Sequence, residues 1–165
     1  GHDLAFPYLM VRHGWIATYV PTAIASEKPT TDLEDEFRRK VRMFGHCWLL
    51  VLHGRMFSLL RMGPVYWLEM VSHRLLRYAS GLLHLVLLVL SVLLAFADGG
   101  VWWLVLLAQL LVLAAAAVST RTRARFTPFA LAHYYVLVTA ATLIGFYHAM
   151  FRGVEPVWER AEGTR

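Results

Sequence analysis

Cysteine is almost missing from this chain of 165 residues: Cys47 stands alone, so no disulfide can form within the chain. Charge is scarce as well. Charged residues make up 16% of the sequence, against about 25% in a typical soluble domain. Acids are the scarcer sign, with 11 Asp and Glu against 16 Lys and Arg and a formal net charge of +5. Little charge and 58% hydrophobic residues exclude a disordered chain, which is apolar-poor and charge-rich. In so apolar a chain, a basic balance points to a membrane surface before nucleic acid.

The missing charges are missing from particular places. Residues 1–77 hold 17 of the 27 charged side chains, and after them come three uncharged windows, 78–97, 99–120 and 126–151. About 20 apolar residues suffice for a helix to cross a hydrocarbon core about 30 Å thick, so each window is long enough to span. Residues 1–30 lack a basic segment followed by an apolar one, so no signal peptide is expected there. The first residue is Gly1 rather than Met, and the chain is expected to be a piece of a longer protein.

The pattern predicts a mainly α integral membrane protein with a short α/β piece at its start. Asp3 can cap a short helix that runs to Arg12 or His13 and stops at Gly14. Pro7 costs little there only if the helix begins late. Residues 15–20, Trp-Ile-Ala-Thr-Tyr-Val, are rich in β-formers and end at Pro21, so a strand is expected, with a second extended piece over 23–27. Residues 31–44 read as a charged helix. Thr31 and Glu34 fit a capping box. The acids Asp32, Glu34, Asp35 and Glu36 precede Arg38, Arg39, Lys40 and Arg42, as the helix dipole favours. A solvated helix held by its own charge layout explains this equally well.

Residues 45–79 read as two amphipathic helices broken at Gly63-Pro64. Trp48, Tyr66, Trp67 and Tyr78 suit the headgroup layer, and the cations between them can snorkel or meet anionic lipid. Two to three transmembrane helices are expected, at about 80–97, 100–118 and 129–151, the first two joined by a tight turn at 97–100. Arg121, Arg123 and Arg125 follow the second span, which places that loop and the basic N-terminal part in the cytoplasm. The third segment is wetter, with His133, Tyr134, Tyr135, Thr139, Thr142, Tyr147 and His148. From Arg152 on, the tail over 152–165 is balanced, with three acids and three bases, so charge does not place it.

No metal-site spacing is present. His46 and His53 share a helix face, but no carboxylate or thiol completes a set. There is no glycine-rich phosphate loop, and Cys47 reads as a small apolar residue at an interface.

Four patterns do occur in a suggestive order. They are Gly1-His2-Asp3-Leu4 followed by His13-Gly14, Val20-Pro21 and the stretch from Ala23 to Glu27; Glu36-Phe37-Arg38-Arg39-Lys40-Val41-Arg42-Met43-Phe44-Gly45; Ser72-His73-Arg74-Leu75-Leu76-Arg77; and Gly153 through Trp158 to Arg165. In this order they resemble the C-terminal part of a membrane-bound family 2 glycosyltransferase, the group of cellulose, hyaluronan and poly-N-acetylglucosamine synthases. The first resembles its "ED … G … P-x-A … E" run, the second the segment ending in Q-x-x-R-W, the third S-H-K-x-L-R, and the last its closing G…W…R tail.

The resemblance implies that residues 1–44 are the end of a GT-A catalytic domain. It implies inverting transfer from a nucleotide sugar to a lipid or glycan acceptor, at the cytoplasmic face of the inner (plasma) membrane. Asp3 matches the catalytic base, although His2 stands where the family often has Glu; a plain helix cap is the simpler role for Asp3. Arg42 matches the arginine of Q-x-x-R-W and, with Arg39 at the Gln position, would serve the leaving diphosphate. Met43 replaces the acceptor-site Trp of the polymerising members, which implies transfer of one or a few sugars. No cofactor is expected in this chain; Mg²⁺ or Mn²⁺ would be held by an upstream D-x-D motif. Expected partners are membrane lipids, the donor and the acceptor, with no nucleic acid. The other class to weigh is a non-catalytic membrane scaffold or assembly subunit.

Overall fold

The computed structural model describes residues 2–16, 18–26, 32–54, 63–122 and 127–154, and every regular element among them is helical. The order is α1 (His2–Arg12), α2 (Leu33–Leu52), α3 (Pro64–Glu69), a π-helical stretch (Met70–Leu75), α4 (Leu76–Tyr78), α5 (Ser80–Ala97), α6 (Val101–Thr122), α7 (Thr127–Tyr147) and a second π-helical stretch (His148–Arg152). The chain forms two compact units, one of residues 1–78 with 144–165 and one of residues 79–143.

In the first unit, α1 ends as its sequence predicts. Gly14 takes φ +83°. Its amide reaches the Val11 carbonyl at 3.0 Å and the Trp15 amide reaches that of Met10 at 3.0 Å, the paired bonds of a Schellman stop. Pro7 lies inside the helix, where it removes the donor to the carbonyl four residues back. The expected strands are corrected here. The described residues of 15–26 form no strand and make a turn at Pro21-Thr22, where the Ala23 amide meets the Val20 carbonyl at 3.1 Å. β-Propensity needs a neighbouring strand to act on, and none lies alongside among the described residues; Ile16 and Tyr19 stay 88% and 86% exposed. The expected α/β remnant of a GT-A domain is therefore not supported: the described residues of 1–44 are helix, turn and irregular chain, with no sheet among them.

α2 departs from expectation at both ends. Its N-cap is Asp32, with no side-chain capping bond, and Glu34 pairs with Arg38 at 3.2 Å; Thr31, the other half of the expected capping box, lies outside the described residues. It continues through Gly45 to Leu52, so the charged helix and the first amphipathic helix are one element. Gly45, which costs about 1 kcal/mol in a helix interior, serves a close approach: a Cβ there would lie 2.9 Å from Val154 Cγ2. Gly145 is tighter still, with its Cβ position 2.8 Å from Phe44 Cβ and 2.9 Å from the Gly45 nitrogen. α1 docks on the end of α2, where Tyr8 Oη and Arg12 Nη1 each donate to the Gly54 carbonyl at 3.4 Å. Tyr8 and Met70 are buried there, packed with Leu50, Val51 and Tyr66. The second amphipathic helix begins where expected, with Gly63 as N-cap and Pro64 in the first turn of α3; residues 55–62 before it lie outside the described residues.

In the second unit, α5 and α6 form a hairpin. The turn uses Gly99 and Gly100 at φ +67° and +55°, values that suit glycine. Gln109 Nε2 donates to Ser91 Oγ at 2.7 Å, and Ser91 donates to the Leu87 carbonyl at 2.7 Å. Such a bond between helices holds apolar helices together where burial alone gives no preference. Near the turn, Phe96 meets Trp103 edge to face at 5.1 Å. The helices Ser80–Ala97, Val101–Thr120 and Thr127–Arg152 are each long and apolar enough to cross a membrane. The chain is accordingly a mainly helical membrane protein.

Candidate functional site

The cationic segment of α2 is the place to look for anion chemistry, because a helix sets residues three and four apart side by side. Most of its charge is already spent. Arg38 pairs with Glu34 at 3.2 Å and with Asp35 at 3.4 Å. Arg39 grips Glu36 with both arms, Nε to Oε2 at 2.9 Å and Nη2 to Oε1 at 3.0 Å. Lys40 Nζ reaches the same carboxylate at 3.0 Å. Arg42 is half-buried beside Val41 and makes no ion pair or hydrogen bond among the described residues.

The expected pair of phosphate-binding arginines is thus divided. Arg39 and Arg42 share a helix face, but Arg39 is held in a fork-to-fork grip that a phosphate would have to displace. Of the two, Arg42 is the one with no ion pair or hydrogen bond among the described residues. Asp3 lies within the first turn of α1 rather than ahead of it, and its side chain lies outside the described ones. The structure therefore brings Arg39 and Arg42 together and leaves the relation of Asp3 to them open.

Beside this segment lies a buried polar cluster that the sequence reading missed. Cys47 is 1% exposed, Tyr78 4% and Trp48 6%. Both aromatics had been expected in the headgroup layer; instead Trp48 packs edge to face on Phe146 at 4.9 Å and Tyr78 on Phe44 at 6.2 Å. Trp48 Nε1 and Tyr78 Oη are buried without a hydrogen bond of normal geometry among the described residues; a buried donor left wholly unpaired costs about 1–3 kcal/mol. Tyr78 lies against the Cys47 thiol and near Arg74. Burial pushes the Cys47 thiol up from its ordinary range, opposed by Tyr78 and Arg74. Burial pushes the Tyr78 hydroxyl up too, helped by Cys47 and opposed by Arg74. One signal was present: Val41, Phe44 and Trp48 are spaced three and four apart, the stripe of a buried helix face.

The Ser72–Arg77 pattern is partly π-helical, within Met70–Leu75, a distortion frequent at functional sites. Ser72 Oγ meets the Leu68 carbonyl and His73 Nδ1, each at 2.8 Å. His46 is half-buried and His53 exposed, and no three His, Cys, Asp or Glu side chains gather among the described residues. No family model, curated protein or solved structure matches the chain.

Proposed function

We propose that this chain is the membrane-embedded, acceptor-side part of an inverting glycosyltransferase. The observation that carries the reading is the state of Arg42. It is the cation of α2 whose donors remain uncommitted among the described residues, at the position that matches the arginine of Q-x-x-R-W. A guanidinium offers two parallel donors to phosphate oxygens. In the reaction, the acceptor hydroxyl oxygen forms a bond to the anomeric carbon. The bond from that carbon to the diphosphate oxygen breaks, and its electron pair leaves with the nucleoside diphosphate. The hydroxyl proton passes to the Asp3 carboxylate, and Arg42 meets the charge that develops on the leaving group. Mg²⁺ or Mn²⁺ would be held by a D-x-D motif outside this chain. Lipids of the inner membrane surround the apolar helices, and the N-terminal unit faces the cytoplasm.

The test is nucleoside diphosphate release by the full-length protein in membranes. Arg42→Ala is expected to lower it by about 10²-fold or more, the scale of losing one charge-stabilising donor. Arg38→Ala, which removes exposed ion pairs to Glu34 and Asp35, should change it less than about threefold, since each such pair contributes about 0–1 kcal/mol. Equal losses would assign Arg42 to lipid contact.

A non-catalytic scaffold is the second reading, and one observation favours it. Residues 15–26, whose β-formers pointed to a truncated α/β unit, form no strand where they are described. A scaffold predicts no nucleoside diphosphate release from any variant or from the wild type.

A further inference from the structure

Three successive crossings of a membrane alternate in direction, so the first and third must run the same way. The contacts between α5 and α7 have the other order. At the start of α5, the Gly81 amide donates to Thr142 Oγ1 at 2.9 Å. A Cβ on Gly81 would lie 2.6 Å from the Thr139 carbonyl oxygen and 2.9 Å from Leu143 Cβ. Three residues later, His84 meets Tyr135. The rings stand edge to face at 5.4 Å, and the Tyr135 hydroxyl bonds His84 Nε2 while Nδ1 faces the Ser80 carbonyl at 2.7 Å. Advancing three residues along α5 thus moves the contact seven residues back along α7. If the helices ran in the same sense, His84 and Tyr135 would be about 15 Å apart along their common direction, too far for those rings to touch.

The hairpin fixes where α7 can begin. Ser91 lies level with Gln109, so Ser80, eleven residues before Ser91, lies level with Thr120, eleven after Gln109. α6 therefore ends at the membrane face where α5 begins. From Thr122 to Thr127 there are five peptide units, which reach at most about 18 Å. That is too short to cross a core about 30 Å thick. Both ends of α7 then belong to one face.

We propose that α7 is not a third crossing but a helix that enters and leaves on a single face. It lies across the boundary between headgroups and hydrocarbon, with the lipid of that leaflet as its partner. The protein crosses twice, and its C-terminal residues share a side with α2. The composition of α7 agrees: His133, Tyr134, Tyr135 and Tyr147, followed by His148 just beyond its end, are side chains that the wet boundary accepts and the bilayer centre does not. An independent observation in the other unit agrees as well, since Gly145 and Val154 both pack on Gly45 of α2.

The test uses single cysteines in the full chain on a Cys47→Ala background: Asp32→Cys, Asp98→Cys, and a cysteine appended after Arg165. A membrane-impermeant maleimide is applied to sealed vesicles of each orientation. Asp32→Cys and the appended cysteine should label from one side and Asp98→Cys from the other. Labelling of the appended cysteine together with Asp98→Cys overturns the proposal. In case the cysteine-free background fails to fold, the wild-type chain with a C-terminal epitope answers the same question. Protease should remove the epitope in the vesicles that expose α2. Removal only in the opposite orientation overturns the proposal.

Discussion

Cys47 and Arg42 lie five residues apart on α2, the first buried and the second half-buried. Cys47 is buried against Tyr78, and burial pushes its thiol up from the ordinary range because it disfavours the thiolate. The folded state thus holds the proton more tightly than the unfolded state does. Its stabilising contribution is full below the ordinary thiol pKa and is lost as pH rises from there through the higher value of the folded state. At pH 8, alkylation of native Cys47 by iodoacetamide should run about tenfold or more slower than that of a free thiol and recover on unfolding; mass spectrometry of the labelled protein reads it. Prompt native labelling would mean the cluster is open. The charge order of α2 was legible, whereas the commitment of Arg39 was not, because Glu36 had two cations within helical reach. Trp48 and Tyr78 misled for another reason: an aromatic near a membrane segment fits a headgroup belt and a packed interior equally well.

The elements were legible mainly where glycine or proline interrupts the pattern. Gly14, Gly63-Pro64 and the pair Gly99-Gly100 each end or begin a helix. Where the argument rested on propensity alone, the described residues of 15–20 form no strand, since a strand needs a partner and a helix does not. Gly45 and Gly145 had no signature either. A glycine that admits another helix looks in sequence like any helix-weakening residue. Their contact gives a sharp expectation. Gly145→Ala places a methyl 2.8 Å from Phe44 Cβ and 2.9 Å from backbone atoms of α2, which cannot swing aside as a flexible side chain can. The variant should lose about 1–3 kcal/mol, as over-packed sites do, measured by denaturant unfolding in detergent. Gly14→Ala, strained by its positive φ but facing open space, should lose about 1–2 kcal/mol, the usual penalty for a left-handed residue other than glycine. A harmless Gly145→Ala would separate α2 from residues 144–154.

At the scale of the whole molecule, composition placed the chain in a membrane, and the apolar helices Ser80–Ala97, Val101–Thr120 and Thr127–Arg152 agree with that placement. Mean hydropathy already sets the third segment apart, at 1.6 against 2.5 and 2.4 for the first two, and the order of contacts along α5 and α7 adds a geometric reason. Function is the part that composition could not reach, because one carboxylate and one arginine acquire a reaction only through what lies around them. The central claim is that this chain serves sugar transfer from a nucleotide donor, with Asp3 as the proton acceptor. The direct measurement is nucleoside diphosphate release by membranes containing the full-length protein, assayed across nucleotide sugars and compared with Asp3→Asn at equal expression. The account predicts release that depends on one donor and falls by about 10²–10⁴-fold in the variant, the usual cost of losing a general base. Equal release from wild type and Asp3→Asn, or none from the wild type with any donor, would contradict it.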